Sequence, residues 1–417
     1  MTAYIFYILL SPLFYFLLLF LSIFNTKIRT NYFTYSKRIN IVKRYIQEHK
    51  KNKKIFLFHA ASTGEFEQLK PILRLIDREK YFIVQSFTSP TIYNEEKDST
   101  LCDITCYHPF DLFWLSRIFF TAINPDKYII TRHDIWPGHI ITAHYLRIPI
   151  YYINANIHKN SIWCNNFFRF FSKYILSLID IILVPSQTIL NNLATIQISQ
   201  DKIIVTGDSR LDQILYRKKM NQNVNILPDI LLTSHATIFG SIDTKDMDII
   251  FPALKKYYPL GIESLKNNKH YLIFAPHEIN TYTMTHLIKK LDQLSFSYIQ
   301  FSKINNNSNN NVIIVDKVGY LAELYKYANQ SYVGGGFSKG IHSVIEPAVY
   351  NNKISCGPNI EMLDEAKKLV KINSLKIINS VNEMYNFMQE DSQTLEKTTL
   401  DYNNFCAADK IWNQIVL

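Results

Sequence analysis

The sequence predicts an α/β fold with two doubly wound domains behind an apolar N-terminal helix. The chain has 417 residues, which is too long for one ordinary domain and suits two of about 200 residues. From residue 55 onward, β-branched and aromatic runs alternate with helical patterns, which is typical of parallel sheets covered by helices on both faces. Residues 1–26 carry no charged side chain, which predicts a separate membrane anchor.

The predicted anchor helix covers residues 3–24. At about 1.5 Å per residue it is long enough to cross a hydrocarbon core about 30 Å thick. Lysines and arginines follow the apolar run instead of preceding it, which argues against a cleaved signal peptide and places the body in the cytoplasm. The alternative is a helix that lies in the inner leaflet without crossing, because Pro12 and the aromatic residues also suit an interface.

The positive charge is concentrated in one segment. Residues 27–54 contain ten lysines and arginines and one glutamate, so they account for +9 of the net charge of +10. This predicts a basic juxtamembrane segment held against an anionic leaflet. The body is close to neutral, so a nucleic-acid partner is not expected. Five cysteines without zinc-ligand spacing indicate a reduced compartment and no structural metal.

The body is predicted to form domains over residues 55–211 and 226–417, with the boundary near residues 211–225. Two doubly wound domains bind their ligand in the cleft at the carboxyl ends of the strands. In the first domain, strands are predicted over 55–58, 81–87, 104–107, 127–131, 148–153, 181–184 and 202–206, and helices over 65–76, 111–122, 137–146 and 187–193. In the second, strands are predicted over 237–240, 271–275, 298–301, 312–315, 331–333 and 353–355.

Three successive glycines, Gly334, Gly335 and Gly336, are predicted to form a turn between a strand and a helix. They let the backbone approach a ligand closely, and apolar residues recur at helical spacing from Ile341 onward. A helix that opens on such a turn presents free N–H groups to a phosphate. Glu346 would lie about one and a half turns into that helix, where it could accept hydrogen bonds from a ribose. The alternative is a solvated glutamate on an ordinary helix.

A second motif consists of Ser62, Thr63, Gly64 and Glu65, which follow the first strand of the body and open its first helix. Gly64 permits a tight turn, and Glu65 stands at the helix N-terminus at the mouth of the sheet. The residues leave two interpretations open. Glu65 is either a carboxylate favoured by the helix dipole or a general base beside the cleft.

Three further strand ends carry polar residues. Asp134 follows the strand at 127–131 within a charged Arg-His-Asp run, and a capping role is the simpler alternative to a functional one. Gly240 and Ser241 end one strand of the second domain, and Pro276 and His277 end another. Each pair could offer N–H groups, a hydroxyl or an imidazole to a phosphate, or serve as ordinary capping.

Taken in order, these segments resemble the 3-deoxy-D-manno-octulosonic acid (Kdo) transferases of lipopolysaccharide assembly. The resemblance covers nearly the whole chain. It implies the GT-B fold, in which two Rossmann-like domains flank a cleft, and transfer of Kdo from CMP-Kdo to the lipid A precursor (lipid IVA) at the cytoplasmic face of the inner membrane, without a metal or other cofactor. The matching segments are Ser-Thr-Gly-Glu at 62–65, Asp-Ile-Trp-Pro at 134–137, Gly-Asp-Ser-Arg-Leu-Asp at 207–212, Ala-Pro-His-Glu at 275–278, and the glycine turn through Glu-Pro-Ala at 346–348 to Gly-Pro at 357–358.

The resemblance also implies roles for individual residues. Glu65 would be the catalytic base of an inverting transfer, with Ser62, Thr63 and Gly64 on the acceptor side. Asp134 occupies a position where the family commonly has a glutamate. Asp134 is the second residue assigned to the catalytic site. The residues implied to bind CMP-Kdo are Gly240, Ser241, Pro276, His277, Gly334, Gly335, Gly336 and Glu346.

Two departures from the family pattern keep other functions open. Asp134 has a shorter side chain than glutamate, and the arginine that the family places between proline and histidine is missing before His277. One alternative is a GT-B enzyme with another nucleotide-sugar donor. The other is a catalytically inactive GT-B scaffold protein, although the retained Glu65 and Glu346 argue against it.

Overall fold

A computed structural model describes residues 2–221, 225–305, 308, 310–361, 363–390 and 406–417, apart from the side chains of 2–7, 10, 27 and 31–37. Contacts divide the chain into two units. The first extends to Gln213 and takes in the C-terminal helix, and the second begins at Ile214, so the boundary lies within one helix, α9. Each unit contains a seven-stranded parallel sheet, which confirms the predicted fold class for the body of the chain.

The first unit follows the predicted alternation of strands and helices. All seven predicted strands are present, and they pair in the order β3-β2-β1-β4-β5-β6-β7. The elements are α1 (Thr2–Phe24), α2 (Thr26–His49), β1 (Lys54–Ala60), α3 (Thr63–Leu75), β2 (Tyr81–Phe87), α4 (Pro90–Glu96), β3 (Ile104–Tyr107), α5 (Phe113–Ile123), β4 (Lys127–Thr131), α6 (Pro137–Tyr145), β5 (Ile150–Ile153), α7 (Arg169–Ser177), β6 (Ile181–Val184), α8 (Gln187–Thr195), β7 (Ile203–Val205) and α9 (Ser209–Met220).

The strand order places a switch point at β1. This strand pairs with β2 on one side and with β4 on the other, so the chain winds away from it in both directions. Its residues Ile55, Phe56, Leu57 and Phe58 are all buried, as expected for a central parallel strand covered on both faces. A crevice forms outside the carboxyl ends of strands at such a point, and the loops after β1 and β4 open there.

The basic segment is a helix that packs on the first unit. In α2, Ile39, Val42 and Ile46 are buried in the hydrophobic core of that unit. Pro12 lies inside α1, where Leu9, Leu13 and Phe16 are exposed. A search of the described residues finds no helix with the length and apolarity needed to cross a membrane. The membrane anchor therefore remains a prediction.

The second unit contains all six predicted strands and one that the sequence analysis missed, the short β14. They pair in the order β10-β11-β9-β8-β12-β13-β14. Its elements are β8 (His235–Ile242), α10 (Thr244–Tyr257), α11 (Ile262–Asn267), β9 (His270–Pro276), α12 (Thr281–Gln293), β10 (Ile299–Gln300), β11 (Val312–Ile314), α13 (Leu321–Leu324), β12 (Gln330–Val333), α14 (Ile345–Val349), β13 (Lys353–Cys356), α15 (Asp364–Lys371), β14 (Leu375–Ile377) and α16 (Val381–Gln389).

The C-terminal helix corrects the predicted extent of the second domain. Helix α17 (Ala407–Val416) buries Ala408, Ile411 and Ile415 in the core of the first unit. The ring of Trp412 meets the edge of Phe56, a β1 residue, with 6.1 Å between the centroids. The predicted domain 226–417 is therefore too long at its C-terminal end, because the apolar face of α17 is buried in the first unit.

The glycine turn does not open directly into a helix as predicted. Helix α14 is only five residues long and begins at Ile345, so Glu346 lies in its first turn and not one and a half turns into it. The loop before it is held by other backbone partners. The N–H of Asn359 donates to the Gly336 carbonyl at 3.0 Å, and the N–H of Ile341 donates to the Asn359 carbonyl at 3.2 Å. These bonds to the loop after β13 replace the intrahelical bonds that a longer helix would need.

Replacing Gly336 with alanine should destabilise the fold. A Cβ atom at this position would lie 2.6 Å from the Cα atom of Gly357, and neither backbone segment can yield by rotating a side chain. We expect the free energy of unfolding to fall by about 2 kcal/mol, measured by chemical denaturation. The matched control is Gly64→Ala, where an added Cβ has no neighbour within 4 Å. Equal stability of the two variants would contradict the close packing.

Candidate functional site

Polar side chains of the first unit gather at the carboxyl ends of β1 and β4. His59 is the penultimate residue of β1, and the turn that follows it leads to Glu65 in the first turn of α3. Asp134 lies in the turn between β4 and α6. Because β1 and β4 are neighbouring parallel strands, these loops emerge side by side, and the structure brings Glu65 and Asp134 into the same site.

Glu65 is fixed by the turn that precedes it. Its Oε2 atom accepts hydrogen bonds from the N–H of Ala61 at 2.7 Å and from that of Ser62 at 3.1 Å. The Ser62 hydroxyl accepts in return from the Glu65 N–H at 3.4 Å, so the two residues form a capping box. Among the described residues, these contacts involve only Oε2. The second oxygen, Oε1, remains as the atom that can accept a proton.

The environment favours the protonated form of Glu65 more than water does. Burial raises the pKa of its carboxyl, and the negative charge of Asp134 raises it further. His59 and the two N–H donors oppose this, but the net shift is upward. The capping box and a general base are therefore compatible descriptions of one carboxylate, because the capping bonds use one oxygen and leave a more basic group than an exposed glutamate.

Asp134 is bound on both of its oxygens. Oδ2 contacts Nε2 of His59, and Oδ1 accepts a hydrogen bond from the indole N–H of Trp136 at 2.5 Å. The His59 side chain is fully buried, and that of Asp134 is 11% exposed. Burial alone would raise the pKa of Asp134, but the interaction with His59 and the indole N–H lower it below its ordinary value. Asp134 is thus more than a helix cap, since one of its partners, His59, lies in a different element, β1.

A chain of buried hydrogen bonds continues from His59 into the core. Nδ1 of His59 lies 3.0 Å from the Ser86 hydroxyl, Nδ1 of His108 lies 3.1 Å from the same hydroxyl, and the hydroxyl donates to the Phe58 carbonyl at 3.2 Å. We therefore assign a proton to Nδ1 of both histidines. Nε2 of His108 can then accept from the Tyr128 hydroxyl at 3.3 Å. The two imidazoles stack with their centroids 3.8 Å apart.

A third histidine closes this cluster. His139 of α6 meets the ring of His108 edge-on at 4.4 Å and contacts the Ser116 hydroxyl at 2.7 Å. Asp111 accepts from the N–H groups of Gly138 and His139 at the start of α6, at 3.0 and 2.9 Å. Burial lowers the pKa values of His108 and His139, which keeps both rings neutral beside the contact between Asp134 and His59.

Sequence analysis did not assign His59, Ser86, His108 or His139 to the site. A signal was available, because His59 and Ser86 are polar residues near the carboxyl ends of mostly apolar strands, and His108 follows a strand directly. Buried polar residues at the carboxyl ends of parallel strands require partners, and those partners lie in the neighbouring strands.

In the second unit, the predicted donor residues Gly240 and Glu346 lie near one another. An added Cβ at Gly240 would lie 2.3 Å from the Tyr325 hydroxyl, so the glycine admits that side chain. Burial raises the pKa of Tyr325 well above its usual range, and the negative charge of Glu346 raises it further. Glu346 is half-buried, which contradicts the interpretation of it as a fully solvated residue.

The glycine turn is held by a buried carboxylate. Asp246 of α10 accepts from the Gly335 N–H and the Tyr332 hydroxyl, at 2.8 and 2.7 Å. Gly335 has φ +90°, a conformation that favours glycine. An added Cβ at Gly334 would lie 2.4 Å from the Ser241 carbonyl oxygen. The N–H of Gly335 is therefore occupied by a carboxylate, and Gly334 allows close packing against the end of β8.

His277 lies beside the same turn. Its N–H donates to the Ile242 carbonyl at 3.0 Å, and its ring stacks on His342 with the centroids 4.2 Å apart. Pro276 is the last residue of β9 and pairs with Ile242. Burial lowers the pKa of His342, and His277 lowers it further. The structure thus brings Ser241, Pro276 and His277 together with the glycine turn.

Ordinary capping accounts for part of what was predicted as phosphate binding at these strand ends. Asp243 accepts from the N–H groups of Lys245 and Asp246 at the start of α10, and Asn280 accepts from the Thr283 N–H at the start of α12. In the part of the chain that the structure describes, no group of three or more His, Cys, Asp or Glu side chains is arranged to hold a metal ion.

Comparisons with known proteins identify relatives in one family. Residues 34–213 match the profile described as "3-Deoxy-D-manno-octulosonic-acid transferase (kdotransferase)". A 3-deoxy-D-manno-octulosonic acid transferase of Aquifex aeolicus is 26% identical, over 80% of this chain and 85% of its own. Those of Chlamydophila psittaci and Haemophilus influenzae are each 25% identical over 76% of this chain, covering 72% and 75% of their own lengths.

The fold resembles that of solved nucleotide-sugar enzymes. A UDP-GlcNAc 2-epimerase from Methanocaldococcus jannaschii superposes with a TM-score of 0.62 at 16% identity, covering 87% of this chain and 99% of its own. The enzyme from Neisseria meningitidis gives 0.59 at 14% identity, with the same coverage. At such identities the likeness supports the GT-B-like fold and nothing about the reaction.

Replacing Ser86 with alanine should destabilise the first unit. The Nδ1–H groups of His59 and His108 would both lose the buried hydroxyl that accepts their hydrogen bonds. We expect the free energy of unfolding to fall by about 2 kcal/mol. Denaturant titration measures it. Ser177→Ala is the control, because the Ser177 hydroxyl bonds a carbonyl on the exposed face of α7. A loss no larger than that of the control would contradict the assigned network.

Proposed function

We infer that this chain, which belongs to the 3-deoxy-D-manno-octulosonic acid (Kdo) transferase family of glycosyltransferases, transfers Kdo from CMP-Kdo to the lipid A precursor, lipid IVA, in lipopolysaccharide biosynthesis. The observation that carries the proposal is the geometry of Glu65. It is a buried carboxylate with one oxygen fixed by backbone donors and a raised pKa, standing at the carboxyl edge of the sheet in a Ser-Thr-Gly-Glu turn.

In the proposed reaction, Oε1 of Glu65 removes the proton from the primary hydroxyl of the acceptor sugar. The oxygen of the acceptor hydroxyl attacks the anomeric carbon of Kdo from the face opposite the nucleotide. The bond between this carbon and CMP breaks, and the configuration at the carbon inverts. A raised pKa suits this role, because a more basic carboxylate takes a hydroxyl proton more readily once it is ionised. Two backbone donors on Oε2 hold the carboxylate still while the proton moves.

We propose that Asp134 acts on the same step through its charge. It is ionised, since its pKa is lowered, and it is held by His59 and Trp136. Its negative charge raises the pKa of Glu65 and favours the positive charge that develops on the sugar ring as CMP leaves. A shorter carboxylate than the family's usual glutamate is compatible with this role, because the effect depends on charge and not on contact.

The second unit supplies the proposed CMP-Kdo site. We propose that Glu346 accepts hydrogen bonds from the ribose hydroxyls and that Ser241 and His277 donate to the phosphate. The stacked His277 and His342 lie beside the glycine turn, so we propose that an imidazole N–H group of this pair donates to the phosphate in place of the family's missing arginine. CMP carries less charge than a nucleoside diphosphate, so we propose that its departure requires no metal ion.

The proposal places the enzyme at the cytoplasmic face of the inner membrane, attached by α1. The support is that the described side chains of α1 include exposed Leu9, Phe16, Phe20 and Phe24. Helix α2, which follows directly, carries the basic residues that would face anionic lipids. An acceptor embedded in the same leaflet would then reach Glu65 without leaving the bilayer.

Transfer by the purified full-length chain tests the function. CMP-Kdo generated in situ and tetraacylated lipid A precursor are supplied, and labelled product is counted with and without EDTA. We expect transfer in both conditions. For Glu65→Gln we expect a rate at least about 100-fold lower, because the amide cannot accept the proton.

The matched control is Glu67→Gln, on the same helix but outside the site, which should retain transfer. Unchanged thermal unfolding and CMP binding would show that Glu65→Gln keeps its fold and donor site. Normal turnover by Glu65→Gln would eliminate the assigned base. Binding of CMP without any product from the unmodified protein would favour the inactive scaffold, and product from a different nucleotide sugar would favour another donor.

The pH dependence of transfer should report the charge of Asp134. Since Glu65 must be ionised to act, the rate rises with pH through the raised pKa of its carboxyl. Asp134→Asn removes a negative charge that contributes to this elevation, so the acidic limb of the pH–rate profile should move to lower pH. The position of the limb is measured, not its height. Asp98→Asn, an exposed substitution, should leave it in place, and an unmoved limb in Asp134→Asn would contradict the coupling.

A further inference from the structure

The loop after β5 exposes an unusual amount of aromatic surface. We call residues 158–171, which run into the first turn of α7, the aromatic loop. Phe170 is 90% exposed, Phe167 86% and Ile162 62%, and Phe168 is 40% exposed. Two of these rings, Phe167 and Phe168, meet edge to face with their centroids 5.0 Å apart, and Phe170 follows two residues later, so the three exposed rings lie within four consecutive residues. Contiguous exposed apolar patches mark interaction sites.

This exposure is built into an ordered segment. Trp163, Cys164 and Phe171 pack against the core of the first unit. Two 3₁₀ turns, Ile162–Cys164 and Asn166–Phe168, are each capped by a side chain. The Ser161 hydroxyl accepts from the Trp163 N–H at 3.3 Å, and the Asn165 amide oxygen accepts from the Phe167 N–H at 2.8 Å. Trp163, Cys164 and Phe171 therefore anchor the aromatic loop to the core, while Phe167 and Phe170 remain exposed to solvent.

The charge around the patch has one sign. Lys159, Arg169 and Lys173 lie in or beside the aromatic loop, and residues 158–179 contain no aspartate or glutamate. Phenylalanine next to arginine and lysine is the composition of surfaces that lie in the interface of anionic bilayers, where rings enter the acyl boundary and cations stay among the headgroups.

The loop begins beside the candidate site. The N–H of Asn156 donates to the Arg132 carbonyl at 3.3 Å, which ties the exit from β5 to the turn that carries Asp134. His158 is close enough to His133 to contribute to the lowering of its pKa, after burial and Arg132. A surface held at the membrane by this loop would therefore bring the carboxyl edge of the first sheet close to the headgroups.

We propose that the aromatic loop docks the first unit onto an anionic lipid bilayer, as a contact separate from α1 and α2. Phe167, Phe168 and Phe170 enter the interface, and Arg169 and Lys173 pair with lipid phosphates. The docking itself stands on the exposed rings and the charge. Its use, presenting an amphiphilic acceptor to Glu65, rests on the proposed function.

The test places an environment-sensitive NBD dye at position 170 of the full-length chain. Phe170→Cys is labelled after Cys164 and Cys406 are replaced with serine; the other three cysteines are buried. With vesicles of phosphatidylcholine and phosphatidylglycerol we expect emission to rise about threefold and shift to the blue, as for a dye entering the acyl boundary. Adding Arg169→Glu should reduce the rise, as should vesicles of phosphatidylcholine alone.

The matched control is the dye at Tyr282→Cys in α12 of the second unit, a side chain that is 72% exposed and far from the loop in sequence. It should respond little while both proteins stay attached to the vesicles. An equal response at the two positions, or none at position 170, would overturn the proposal. So would a rise at position 170 that depends on protein concentration without lipid, since this would make the patch an interface between copies. The dye emission does not depend on Kdo transfer. The proposed docking can therefore be wrong while the proposed transfer is right, and the docking can be right while the transfer is wrong.

Discussion

The site of the first unit depends on one constraint, which is that Asp134 and His59 are withdrawn from water and must satisfy each other. A buried carboxylate without a partner would be unstable, and the contact to His59 removes that cost. The same requirement for hydrogen-bond partners extends to the neighbouring strand. His59 needs an acceptor on its other nitrogen, the Ser86 hydroxyl supplies it, and the same hydroxyl holds His108. Burial raises the pKa of Glu65 most, the charge of Asp134 raises it further, and His59 opposes the rise.

The second unit also contains a buried carboxylate that needs hydrogen-bond donors, Asp246. Burial raises the pKa of Asp246 to about 6, although three donors, the Asp243 N–H, the Gly335 N–H and the Tyr332 hydroxyl, oppose the shift. This side chain joins the start of α10 to the glycine turn, so the turn is rigid before any ligand arrives. A preformed turn loses little conformational entropy on binding. The glycines are required because backbone packs on backbone, at Gly334 against Ser241 and at Gly336 against Gly357.

Much of the fold was predictable because parallel strands buried on both faces are continuous apolar runs. Thirteen of the fourteen strands that the structure describes were located this way, several to the residue, as at Tyr81–Phe87 and Lys127–Thr131. The exception, Leu375–Ile377, has a lysine at its centre, which interrupts the apolar run. The helix predicted to open on the glycine turn was wrong, because local spacing was again the only signal. Apolar spacing from Ile341 fits a helix, but the backbone there bonds to the loop at Asn359, and no local pattern records that partner.

By itself, the sequence determined where several strands give way to turns with polar residues. Glu65, Asp134 and His277 were found because a turn after an apolar run is a local feature, and the carboxyl ends of parallel strands share one edge. Gly240, which was predicted to end its strand, lies instead inside β8. Only the tertiary structure decided what surrounds them. The stack of His59 on His108, the bond from Asp246 to the glycine turn and the packing of α17 on the first unit all join residues far apart in the chain. Such contacts depend on which strands become neighbours and which faces meet, and the periodicity of a single segment carries no information about either.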